Sequence, residues 1–258
     1  MCIRDSLFII DLFSLNLIIM NIDFVKVPFS NNPSMSRYEG QIFNKNPSKI
    51  YLLEKQKQLS KFGDSIYGQT KVSIDNELLL KTLKFLNFNN LTTIKELSLM
   101  LEEDFAVMHK GKMELGSICF PSGWEFKEKL GKDFTYIHQP VADNNKLISS
   151  SNKLSEYMCK QTIQRWVWTI TTSKELSEHP HLEKPQLTSF ENLYFRVETQ
   201  ISTPIDEKTS LFLIKVDVYP LIDVWDLKIF DSVNSMSDSV LNYKGLVEIK
   251  ELFNKMKL

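Results

Sequence analysis

Two apolar runs joined by His109-Lys110-Gly111-Lys112 constrain this chain more than any other stretch. Leu97 to Met108 and Met113 to Phe120 read as strands, and Gly111 supplies the positive φ that a tight hairpin turn demands. Pro121-Ser122-Gly123 breaks the second strand at a corner. Beyond it, Trp124 to Leu130 reads as one helical turn and Asp133 to Ile137 as another, with Asp133 near its start. Pro140 confines Gln139 to extended geometry, so helix stops at about His138.

Around this hairpin the periodicity divides the chain. Ile22 to Lys49, broken by Pro28, Pro33 and Pro47, is expected to be an extended arm. Ser48 to Gly63 and Asn76 to Phe88 have helical spacing, as does Asn144 to Gln164. Arg165 to Thr172 is aromatic and β-branched, a strand. Asn192 to Thr203 and Ser210 to Tyr219 read as a further hairpin across Pro204 to Thr209, after a His- and Pro-containing loop from Glu175 to Ser189. Ile222 to Phe230 and Lys244 to Met256 close the chain as helices. The expected class is α+β: a five-stranded antiparallel sheet with inserted and flanking helices, the helices entering after the second strand. That outline is PAS-like, a sheet curving around a pocket. It does not by itself establish a function.

Composition excludes several classes. At net charge -1 over 258 residues, nothing favours broad attraction to nucleic acid or an anionic membrane. Cys2, Cys119 and Cys159 have no CxxC spacing, which argues against zinc or iron–sulfur ligation by this chain. So few cysteines fit a reducing compartment, and a cytoplasmic location is expected. Leu7 to Met20 is apolar but short for a membrane span and is interrupted by Asp11. The opening Met-Cys-Ile-Arg-Asp-Ser resembles a translated sequencing-adapter scar. Residues 1–19 are therefore expected to be a non-native extension, and 20–258 a single domain with an N-terminal helical arm. The alternative is an N-terminal helix packed on the body.

Five motifs occur in order: Leu101-Glu102-Glu103-Asp104-Phe105, Cys119-Phe120-Pro121-Ser122-Gly123-Trp124, Lys129-Leu130-Gly131-Lys132, Ile137-His138-Gln139-Pro140-Val141 and Arg196-Val197-Glu198-Thr199-Gln200. Together they resemble the alpha subunit of haem-dependent oxidative N-demethylase, from about Met20 onward. The resemblance implies a haem b-binding PAS-like domain. It also implies a monooxygenase that removes a methyl group from a small, dimethylamine-like secondary amine with dioxygen. NADPH, FMN and a [2Fe–2S] centre would act through flavin and iron–sulfur reductase subunits, and tetrahydrofolate is associated with the assembly. The chain has no Rossmann glycine fingerprint and no cysteine cluster, so electrons must come from partners. A PAS-like haem or gas sensor without turnover and a non-haem interaction module are the alternatives.

With that resemblance, His138 is the expected axial ligand and metal site. A neutral imidazole ligates iron when its second nitrogen is held by a hydrogen bond. The competing role for His138 is to cap the last carbonyls of its helix. His179 and His181, flanking Pro180, are the fallback ligands, and His109 lies in a turn. Tyr194, Arg196, Glu198 and Gln200 share one strand face by the period of two, with Phe195, Val197 and Ile201 on the other. That face is either solvated or lies over the haem. In the second case Glu198 would hold a cationic amine, and Arg196 would polarise dioxygen or pair with a propionate. Lys129, Lys132 and Arg165 could neutralise propionates, and Trp168 could stack on the macrocycle. Three departures from the family pattern flank the expected pocket. Val167 stands where Asn is usual, Thr199 where Arg is common, and Lys215-Val216-Asp217 replaces Arg-Thr-Tyr. They bear on which substrate fits.

Overall fold

The computed structural model describes residues 21–32, 34–71 and 76–256. The extension expected over residues 1–19 lies outside them. In chain order the elements begin with β1 (Ser36–Arg37), α1 (Lys49–Phe62), β2 (Tyr67–Gln69), α2 (Glu77–Phe85) and α3 (Ile94–Ser98). Next come β3 (Asp104–His109), β4 (Lys112–Ser117) and the short helices α4 (Phe126–Lys129), α5 (Phe134–His138), α6 (Asn145–Ser149) and α7 (Ser151–Met158). Strands β5 (Ile163–Thr171), β6 (Tyr194–Asp206) and β7 (Thr209–Pro220) follow. The helices α8 (Leu227–Asn234), α9 (Asp238–Lys244) and α10 (Val247–Lys255) complete the order.

The hairpin forms as its turn residues dictate. Lys110 and Gly111 both take positive φ, 50° and 78°, the pattern of a two-residue turn matched to strand twist. Its first strand is shorter than the apolar run, however. Thr93 and Glu96 form a reciprocal capping box that starts α3, so Leu97 belongs to a helix and β3 begins only at Asp104. Asn144 to Gln164 also departs from expectation. The serines around Ser150 divide it into α6 and α7, and Gln164 belongs to β5. Serine competes with the helical backbone for hydrogen bonds, so a run of it favours a break.

The sheet has seven strands in the order β1-β5-β6-β7-β3-β4-β2, and every neighbouring pair is antiparallel. The α+β class holds. The expected count of five misses β1 and β2, two- and three-residue edge strands too short to show a period.

Alternation along the strands sorts side chains between two layers. Phe105, Val107, Leu211 and Leu213 pack against α2 and α3. Trp168, Ile170, Phe195 and Val197 pack on the same side against α8, α9 and α10. The opposite face carries Ala106, Met108, Ile214 and Val216, joined by Phe120 and Phe126. Phe134, Leu147, Met158 and Ile163 extend that layer under α5 to α7. At about 25 cal/mol per Å² of apolar area, each fully buried aromatic or aliphatic side chain contributes roughly 1.5–3 kcal/mol. Among the described residues, no helix is long and apolar enough to cross a membrane.

Candidate functional site

Between the second face and α4 to α7 lies a cavity of about 220 Å³. His138, Lys129, Arg165 and Glu198 all line it. The 121–124 corner, β5, β6 and the end of α5 therefore meet at one place, as the polar face of β6 suggested.

His138 is delivered by α5. Asp133 starts that helix by accepting from the Tyr136 N–H at 2.8 Å, and Asn144 Nδ2 donates to the terminal carbonyls of His138 and Gln139. The ring stacks on Phe134 at 4.1 Å. Its Nδ1 lies 2.8 Å from the Phe134 carbonyl, which can only accept, so Nδ1 carries the proton and Nε2 keeps its lone pair. That bond, to the carbonyl of the first residue of α5, fixes the tautomer and does not cap the helix end. Burial pushes the pKa down to about 4. The Phe134 carbonyl opposes that shift, while Arg165 and Lys129 reinforce it. The ring is neutral at physiological pH.

The 121–124 corner is held from several sides. Asp104 accepts from the Phe120 N–H at 2.6 Å, and Gly123 at φ 76° turns the chain. The backbones of Pro121, Gly123 and Glu178 exchange hydrogen bonds at 3.0 Å. Ser122 then donates to one oxygen of Glu198, and Gln200 Nε2 donates to the other at 2.7 Å. Glu198 is the one carboxylate lining the cavity among the described residues.

Cations outnumber it. Lys129 lies 4.0 Å over the Trp124 ring, and burial pushes its ammonium down to about 8 against the pull of Glu198 and Glu128. The Arg165 Nε is buried without a hydrogen-bond partner. Burial lowers the Arg165 pKa, with Glu198 opposing. Lys244 Nζ donates to the Trp168 carbonyl at 2.7 Å, and burial pushes it to about 8. Tyr243 and Lys244 both line the cavity.

Three expected site residues are not part of it. Arg196 is 1% exposed, and its fork is spent on protein. Its Nε donates to Ser122 Oγ, Nη1 to the Leu176 carbonyl at 2.6 Å and Nη2 to the Phe120 carbonyl at 2.9 Å. It therefore positions Ser122, and through it Glu198; each of its three nitrogens already donates to protein, and Arg196 does not line the cavity. Trp168 faces the other layer, stacked on Phe195 at 5.5 Å, so it does not stack on anything in this cavity. Lys132 is exposed beside the Tyr136 ring, outside the lining.

The other histidines are elsewhere. His179 stacks on Phe62 at 3.8 Å, His181 meets Glu125 at 3.2 Å and His109 meets Thr209 at 2.9 Å. Among the described residues no group of three or more His, Cys, Asp or Glu could hold a metal ion. A metal at His138 would need most of its ligands from a macrocycle. The free Nε2 of His138 and the partnerless Arg165 Nε fit a group carrying both iron and carboxylates.

The sequence reading missed Lys244 and Tyr243. It placed Lys244 at the start of a helix, whereas it ends α9, whose start is marked by Ser237 capping Val240. The Ser237-Asp238 pair was the available signal. The family described as haem-dependent oxidative N-demethylase, alpha subunit-like, matches residues 59–253, well over half of the chain and including every residue named in this cavity. No curated protein matches the chain.

Proposed function

We propose, for a chain that belongs to the haem-dependent oxidative N-demethylase alpha-subunit-like family, a haem-binding subunit that oxidatively demethylates a small secondary amine. The observation that carries this is His138. Its Nδ1 is committed to a backbone carbonyl, and its ring is neutral in the wall of the cavity that also holds Glu198. This is the arrangement a histidine ligand needs. When bound, haem b would supply the dioxygen-dependent oxidation of the amine's methyl group. His138 would hold the iron, and Arg165 and Lys129 would offset propionate charge. Glu198 would orient the cationic amine, its position set by Ser122 and Gln200. Val167 lines the cavity and offers no hydrogen bond there, which favours a substrate with an apolar flank.

Strand order supports a PAS-like reading. The five longer strands run β5-β6-β7-β3-β4, with the helices inserted after β4 over the cavity face. The cavity, partly open to solvent, is smaller than the roughly 300–1,000 Å³ of ordinary ligand sites, so loading a macrocycle would require lining side chains to move aside. Electrons would arrive from partner subunits carrying NADPH, flavin and iron–sulfur groups.

Reconstitution with haem tests the reading. A Soret band is expected, and His138→Ala is expected to change the ferric spectrum and weaken binding at least about tenfold. An unchanged spectrum would remove His138 as the ligand, and no band at all would remove the haem reading. Formaldehyde release from dimethylamine with a reductase present is the expected activity. A bound spectrum with no release across several amines would indicate a sensor.

A further inference from the structure

The α9 end of the cavity has a charge imbalance that the residues assigned so far do not resolve. Arg165 enters from β5 with Nε buried and without a partner. Lys244 enters from the end of α9; its ammonium lies 5.4 Å from the Phe29 ring and 5.8 Å from the Trp168 ring, and its only hydrogen bond is to a neutral carbonyl, Trp168 O at 2.7 Å. The two lie close enough for Arg165 to disfavour the Lys244 charge. Glu198 reaches both electrostatically, but its two oxygens already accept from Ser122 and Gln200. Lys129 draws on it too, so three cations share one carboxylate, itself engaged elsewhere. Buried charge without a matched partner is costly, and a bound anion would offset it.

We propose that Arg165 and Lys244 together form a carboxylate-binding corner, with Lys244 leaving the Trp168 carbonyl to pair with the incoming anion. Arg165 supplies the planar fork suited to a carboxylate, and Lys244 supplies a movable point charge on a flexible stem. Tyr243, next to Lys244, lines the same cavity. The Trp168 carbonyl holds Lys244, and a carboxylate is the stronger partner for an ammonium. The corner lies in the cavity assigned to haem, so the inference rests on that reading where the carboxylate is a propionate. The same chemistry would take a free dicarboxylate.

The test uses the full chain and two porphyrins, haem and its dimethyl ester, which lacks free carboxylates. Each is titrated while Soret absorption is followed, in the wild type, Lys244→Met and Lys244→Arg. Wild type should bind haem about tenfold tighter than the ester. Lys244→Met should erase most of that preference without weakening the ester, and Lys244→Arg should keep it. A preference unchanged in Lys244→Met, or an equal loss for both porphyrins, would overturn the proposal. If neither porphyrin binds, the haem reading fails on its own, and succinate decides the corner. A thermal midpoint raised by succinate in wild type but not in Lys244→Met would support it. No rise in wild type would dispose of it.

Discussion

Arg196 shows how far a residue's role can lie from its position in a pattern. The period of two places it beside Glu198 on a polar face, where it looks available to a ligand. Its side chain is instead the peg that joins β6 to the loops at Phe120 and Leu176. Those partners lie 76 and 20 residues away in sequence, so no local signal reveals them. Arg196 also supports Glu178: burial raises that carboxyl, but Arg196 and Lys184 outweigh it and hold it below its ordinary value. Arg196→Met should therefore cost about 3–5 kcal/mol, because two carbonyls and the Ser122 hydroxyl lose their donor together and Glu178, still held by Thr171 and Lys184, loses a nearby positive charge. Urea unfolding would measure it. Arg196→Lys should recover only part of the loss, since one ammonium cannot reproduce the fork. A cost below about 1 kcal/mol would mean the corner is held without it.

At the scale of elements, the weak point is α5. Five residues are too few for a helix to stand on propensity, so its cap and its packing decide whether His138 is presented. Asp133→Ala should cost about 1 kcal/mol and lower haem affinity by a similar factor of roughly five, while Asp133→Asn should stay near wild type. Equal affinity in Asp133→Ala would show that Phe134 packing and Asn144 alone hold the helix end. This part of the site was legible because its signals are local: a cap residue, a proline and a turn glycine each act within a few positions. The capping box at Thr93 was equally local, yet the apolar run over it looked like strand, and the stronger short-range signal won. The division of the 144–164 segment depended on three serines competing with helical spacing on both sides, which periodicity alone does not settle. The edge strands β1 and β2 exist only through pairing with β5 and β4, a tertiary event with no imprint in two or three residues. Lys244 was hidden for a related reason. Its access to the cavity depends on how α9 packs over β5, not on any pattern around residue 244.

For the molecule as a whole, an average charge near zero conceals a local excess of cations in one cavity, and that excess should be visible in global stability. Burial holds Lys244 at about 8, with Arg165 on β5 adding to the shift and Glu198 on β6 opposing it. In the unfolded chain a lysine titrates at about 10.4. Below about pH 8 both states carry the proton, and the folded state bears the full cost of the buried charge. Between about pH 8 and 10.4 the folded state releases a proton that the unfolded state keeps, so the free energy of unfolding rises with pH through that window. Above it the cost is gone. Other groups also titrate there, including Cys119, pushed up to about 11 by burial, whose contribution has the opposite sign. The difference between wild type and Lys244→Met isolates the lysine. In ligand-free protein that difference should move in favour of wild type from pH 7 to pH 10, by at most about 3 kcal/mol and by less to the extent that water reaches the ammonium. Urea unfolding at each pH supplies the measurement. A carboxylate in the corner should restore the Lys244 charge to favour and flatten the window from below. A difference that is flat in the empty protein would instead place the ammonium in water, and the local excess of buried charge would then reduce to Arg165 and Lys129.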